Sequence, residues 1–166
     1  MALDHNIQSG DDFEKWCSGV RPTALEEIVA KIYREQGFIA RTTPATGDGG
    51  VDVILEKENG PSSVDALVQV KRYSGSYTTV DAAPLNKLKE TAQTYDPDRL
   101  IIISTVQFGN PVEAEAASTD DYRVELIRCR DLYNQVDAEL LSTLTETYSS
   151  YRGLKKWWER SDFPDK

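Results

Sequence analysis

The sequence predicts an α/β protein: a mixed β-sheet with helices on both faces, in the order α-β-β-β-α-β-α-β-α. Three observations carry that reading. The run "RLIIIST", Arg99 to Thr105, is continuously apolar, as strands buried on both faces are. Leu25, Ile28, Val29, Ile32 and Tyr33 recur at helical spacing, with Pro22 and Thr23 opening the pattern and Gly37 closing it. Three short strand-like runs then follow one another between Phe38 and Tyr73.

The elements follow in order. A short helix is expected over Asp11–Ser18 and a stronger one over Pro22–Gln36. Strands are expected over Phe38–Thr43, Val51–Glu56 and Ala66–Tyr73, with "ENGPSS" turning between the last two. A helix over Val80–Thr94 stops at Asp96-Pro97-Asp98, ahead of the apolar strand. A short helix over Pro111–Ser118, a last strand over Val124–Arg128 and a helix over Leu132–Tyr151 complete the set, and "GLKKWWER" adds a terminal segment. No repeat or low-complexity linker divides the chain. The expectation is one domain over 1–166, with its core at about 22–132 and a helical extension over 133–166.

Composition narrows the chemistry. The 166 residues suffice for one sizeable core, and 39% hydrophobic content places the chain among globular proteins. No apolar run approaches the roughly 20 residues that span a bilayer, and "MALDHNIQSGDDFEKW" has no apolar stretch of a secretory signal. Cys17 and Cys129 show no CxxC spacing, so no zinc site or disulfide framework is expected, and a reducing, cytoplasmic setting is. The single histidine, His5, argues against hydrolases that rely on a histidine base and against histidine-based zinc sites. Catalysis here would have to run on carboxylates, lysine and a hard cation such as Mg²⁺.

The net charge of −9 argues, on its face, against nucleic acid, which selects a basic footprint. The acidity is spread along the whole chain, with few lysines and abundant Asp and Thr. That pattern suits a surface adapted to high salt; an ordinary acidic cytosolic protein is the alternative.

The chemistry concentrates in "GDGGVDV", Gly47–Val53, and "VQVKRY", Val68–Tyr73. A lysine inside an apolar strand costs several kcal/mol, in rough terms, if buried without a partner. Alternation puts Gln69 and Lys71 on one face of the third strand, with Val68, Val70 and Arg72 on the other. The second strand is expected beside it and antiparallel. Asp52, near its start, then lies opposite the end of the third, and Asp52, Gln69 and Lys71 can share one polar pocket. Gly49 and Gly50 allow a tight or left-handed backbone and the close approach of a ligand.

At these residues the chain resembles the Mrr-type restriction endonucleases, a branch of the PD-(D/E)xK nuclease superfamily. "LEEIVAKIYREQGF", "TPATGDGGVDVI", "VQVKRY" and "RLIIIST" stand in the right order and spacing, over about Leu25 to Leu132. The resemblance implies a restriction-endonuclease-like core and a metal-dependent DNA endonuclease. It implies Asp52 as metal-binding carboxylate, Gln69 at the position most of the superfamily fills with Glu or Asp, Lys71 as catalytic lysine and Glu26 as the supplementary helix carboxylate. Asp52, Glu26 and Gln69 would hold Mg²⁺, for which Mn²⁺ can substitute, and Asp48, Gly49, Gly50, Arg72 and Tyr73 would face DNA.

Each assignment has a plainer reading. Asp48 before two glycines suits a turn, Asp52 a strand end, and Gln69 a strand hydrogen bond. Glu26 and Glu27 together read as a solvated helix face. Arg72 and Tyr73 are as readily surface contacts as phosphate contacts. Lys155, Lys156, Trp157, Trp158 and Arg160 suit a DNA-binding tail, but a helix packing its aromatics on the core or on a second subunit fits better.

Only some 20 residues precede the first catalytic helix, too few for the recognition domain such enzymes usually carry. Target choice is therefore expected from structure at the site, from a homodimer, whose two sites suit a two-stranded cut, or from a separate recognition protein. No membrane partner is expected. A role in restriction, defence or repair is the first reading. The alternatives are a Holliday-junction resolvase, a catalytically weak DNA-binding or scaffold subunit, and an RNA-directed nuclease.

Overall fold

The computed structural model describes residues 7–43, 50–57, 64–73 and 78–153, with side chains through 148. The elements are α1 (Gly10–Ser18), α2 (Pro22–Glu35), β1 (Phe38–Thr42), β2 (Val53–Lys57), β3 (Val64–Lys71), α3 (Ala83–Tyr95), β4 (Arg99–Ser104), α4 (Asn110–Ser118), β5 (Arg123–Arg128), α5 (Cys129–Leu132) and α6 (Ala138–Gly153). The expected turn "ENGPSS" and the basic, Trp-containing terminal segment lie outside the described residues.

The five strands form one sheet in the order β1-β2-β3-β4-β5. β1/β2 and β2/β3 are antiparallel, while β3/β4 and β4/β5 are parallel, so the sheet is mixed as expected. β4 explains the architecture. Leu100 and Ile102 point into one core, with Leu67 of β3 and Leu85, Leu88 and Ala92 of α3. Ile101 and Ile103 point into the other, with Ile28 and Ile32 of α2 and Val68 of β3. A strand buried on both faces must be apolar at every position, and each such side chain contributes roughly 1.5–3 kcal/mol relative to exposure.

Local signals set the helix ends. Gly37, at φ +98°, follows α2 in a backbone conformation other residues resist. Asp96 ends α3 in the left-handed region, φ 49°, with its N–H on the Ala92 carbonyl at 2.7 Å. The single helix expected over Leu132–Tyr151 is instead α5, a 3₁₀ turn at Tyr133–Gln135, and α6. Asp137 is the reason: its Oδ1 accepts from the N–H of Leu140 at 2.8 Å, which starts a new helix there.

Two ion networks close the fold. Asp65 of β3 accepts from Arg99 of β4 at 2.6 and 3.1 Å, and Arg99 reaches Glu125 of β5 at 3.3 Å. These pairs join the three strands at their starts. Glu14 of α1 accepts from Arg128 Nη2 at 2.5 Å, from Arg128 Nε at 3.1 Å and from the Arg130 N–H at 3.2 Å, fixing α1 to the end of β5. Cys17 and Cys129 are free thiols in the same packing, and burial pushes the Cys17 thiol well up. No helix among the described residues is long and apolar enough to cross a membrane.

Candidate active site

The candidate site lies where β3 ends and β2 begins. Asp52 immediately precedes β2, and its backbone extends the ladder: its N–H donates to Val68 O at 2.8 Å and its carbonyl accepts from the Thr43 N–H at 3.0 Å. The side chain is held as firmly. Oδ2 accepts from the Val70 N–H and from Gln69 Nε2, both at 2.7 Å. Alternation along β3 turns Gln69 toward this carboxylate and leaves Val70 in the core behind it, so the strand offers Asp52 one backbone and one side-chain donor. Burial raises the Asp52 pKa, and the Val70 N–H, the Lys71 charge and Gln69 each oppose that rise.

Glu26 comes from α2. It makes no hydrogen bond or ion pair among the described residues, and its pKa is pushed up to about 7 by burial first, then by the charges of Asp52 and Glu27. Glu27 is engaged elsewhere, accepting from Thr42 Oγ1 at 3.2 Å and lying 4.0 Å from Arg34. The structure thus separates two adjacent glutamates that pattern alone reads as one solvated helix face. Glu27 ties α2 to β1, while Glu26 interacts with Asp52.

Lys71 is the last residue of β3, partly exposed, and its carbonyl accepts from the Thr105 N–H at 3.1 Å. It forms no ion pair within 4.0 Å among the described residues, but its charge acts on Asp52. Strand-end placement and that charge are what make a lysine tolerable here. Gly50 has φ +80°, and a Cβ built on it would lie 2.8 Å from Gln69 Oε1 and 3.0 Å from Lys87 Cγ. Both the conformation and the space call for glycine.

Arg72 and Tyr73 are placed differently from the rest. Arg72 Nε donates to the Val20 carbonyl at 2.6 Å, tying the end of β3 to the α1–α2 connection. Tyr73 exchanges hydrogen bonds with Thr105, its N–H donating to Oγ1 and its carbonyl accepting from it, each at 2.8 Å. Asp48 and Gly49 lie outside the described residues. The Val70 N–H and Lys87 had no signal in the sequence. The first is a backbone group, and the second is brought to Gly50 only by the packing of α3.

The donors suit a hard cation. Burial disfavours the charged form of both carboxylates, and the Asp52 charge further disfavours that of Glu26, so a divalent cation here would gain a partner in each. No group of three or more His, Cys, Asp and Glu gathers among the described residues, and of those residues Asp52, Glu26 and neutral oxygens are the groups that could hold such an ion. Gln69 turns its nitrogen, not its oxygen, to Asp52, and in this arrangement it holds the carboxylate in place.

Comparison with known proteins agrees with this architecture. The family model Mrr_cat, described as restriction endonuclease, matches residues 9–136. The chain is 31% identical over 84 residues to the uncharacterized protein y4cE of Sinorhizobium fredii (strain NBRC 101917 / NGR234), covering 51% of this chain but only 21% of that protein. Among solved structures it is similar to the DNA modification-dependent restriction endonuclease AspBHI, with a TM-score of 0.58 and 19% identity, covering 83% of this chain and 39% of that one. At that identity the likeness concerns the fold.

Proposed function

Since the chain belongs to the Mrr_cat restriction endonuclease family, we propose that it is a metal-dependent DNA endonuclease acting in restriction, with Asp52, Glu26, Gln69 and Lys71 as its site. One observation carries the reading: Asp52 is fixed by two donors at 2.7 Å within the field of Lys71, and its charge acts on Glu26, which makes no hydrogen bond or ion pair among the described residues. That spatial cluster is costly for stability, because it places two half-buried carboxylates side by side.

Asp52 and Glu26 would hold Mg²⁺ or Mn²⁺, and Gln69 and the Val70 N–H fix the orientation of Asp52. A bound divalent cation supplies polarisation of the phosphoryl oxygen and neutralises charge that develops there. Lys71, at the strand end, orients the attacking water and the phosphate. Gly50 keeps the loop close to Gln69, with no side chain in the path of the DNA backbone. Cleavage of both strands would use two copies of the chain, and a separate protein could supply target recognition.

The test is cleavage of supercoiled plasmid with Mg²⁺ or Mn²⁺, from low to multimolar KCl, by the wild type, Lys71→Ala and Asp52→Asn. Nicking or linearisation by the wild type, lost in both variants, is the expected result. Activity that rises into multimolar KCl would also support a salt-adapted acidic surface. DNA bound but uncut under every condition would overturn the reading in favour of a scaffold subunit that keeps the fold.

A further inference from the structure

Among the described residues, Lys71 aside, most cations on the elements that bear or flank the site are engaged. Arg72 Nε is committed to the Val20 carbonyl. On α3, Lys89 pairs with Glu115 at 2.6 Å. On α2, Lys31 lies over the ring of Tyr148, 5.4 Å from its centroid. Lys87 differs. It is exposed and has no carboxylate within 4.0 Å among the described residues, and its stem lies against the loop that leads into Asp52. A Cβ at Gly50 would sit 3.0 Å from Lys87 Cγ, 3.6 Å from Lys87 Cβ and 2.8 Å from Gln69 Oε1, so the three groups meet at one point.

Topology explains the meeting. β3 ends at Lys71, and β4 runs parallel to it from Arg99, which pairs with Ala66. α3 must carry the chain back between them, so it begins at the site end of the sheet and finishes at the other. Lys87 lies in its second turn, one turn beyond the Ala83 N–H that donates to Asp81 Oδ1 at 3.1 Å. A chain of net charge −9 can hold a polyanion only where local cations outweigh nearby carboxylates. Here, among the described residues, those carboxylates are Asp52, Glu26 and Asp81, the last at the start of α3 and within the field of Tyr73.

We propose that Lys87 binds a backbone phosphate of the DNA strand laid over Gly50, adjacent to the phosphate that Lys71 faces. The start of α3 is then one wall of the substrate groove, and Lys87 is a positioning residue. This rests on the nuclease reading above.

The experiment measures fluorescence anisotropy of a labelled duplex, with Ca²⁺ in place of Mg²⁺ to prevent turnover, over a KCl series. It compares the wild type with Lys87→Gln, Lys87→Arg and Lys57→Gln, with thermal melting of each. Lys57 stands at the opposite end of β2, beside Asp65 and Asp98. The expected result is a salt slope shallower by about 0.9 in Lys87→Gln. Lys87→Arg restores the slope, Lys57→Gln leaves it as in the wild type, and all melt alike. An unchanged slope in Lys87→Gln, with the wild type still binding, overturns this inference and leaves the nuclease reading standing. An equal change in Lys57→Gln also overturns it, since the effect is then one of net charge. A wild type that neither binds nor cuts DNA overturns both.

Discussion

Gln69 donates its side-chain N–H to Asp52 Oδ2 at 2.7 Å, so the strand residue beside the key carboxylate is a hydrogen-bond donor and not a second negative charge. The arrangement lets Asp52 stay buried without a cation. A carboxylate at position 69 would face Asp52 across the same short gap.

That contact makes Gln69→Glu informative. Without metal the variant should melt several degrees below the wild type, because a donor is replaced by a like charge. With Mg²⁺ at millimolar concentration the gap should close, since ligand binding to the folded state adds stability. Differential scanning fluorimetry with EDTA and with Mg²⁺ checks both. A Mg²⁺-induced rise no larger than that of the wild type would count against a cation at this pair.

Glu26 gives a pH signature. Its folded-state pKa is about 7, above the ordinary 4.5 that it regains on unfolding. Between those values the folded state keeps a proton the unfolded state has lost, so this group's contribution to stability falls as pH rises from about 4.5 to 7. Burial shifts Asp52 in the same direction. Glu26→Gln removes the Glu26 share of the dependence: in EDTA it should match the wild type near pH 4.5 and be more stable at pH 8. Urea unfolding at the two pH values measures the difference, and a gap that is the same at both would refute the assignment.

Two glycines separate strain from site geometry. Gly50→Ala meets both a left-handed backbone and a crowded neighbourhood, and should cost about 1–3 kcal/mol and depress cleavage. Gly37→Ala shares the positive φ, but nothing among the described residues lies within 4 Å of its added carbon. It should lose about 1 kcal/mol and cut normally. Denaturant midpoints and plasmid cleavage, measured together, distinguish the two.

Glu14→Ala addresses the fold alone. It strips Arg128 and the Arg130 N–H of their acceptor in a mostly buried setting, and should cost about 3 kcal/mol. Urea unfolding checks it, with DNA affinity per folded molecule expected to be unchanged.

The sequence by itself determined the order of the elements, the double burial of "RLIIIST" and the facing of Gln69 toward Asp52. These follow from periodicities of two and of 3.6 residues, which act over a few neighbours. Single polar residues with two plausible roles were beyond its reach. Leu132–Tyr151 read as one helix because its pattern continues, yet Asp137 caps a new start. Glu26 and Glu27 together read as a solvated helix face, and only the family resemblance singled out Glu26. Tertiary structure gave Thr42 and Arg34 to Glu27 and left Glu26 to Asp52. It committed Arg72 to Val20, 52 residues away in sequence, and brought Lys87 to Gly50. Such pairings arise when distant segments pack, and no local period encodes them.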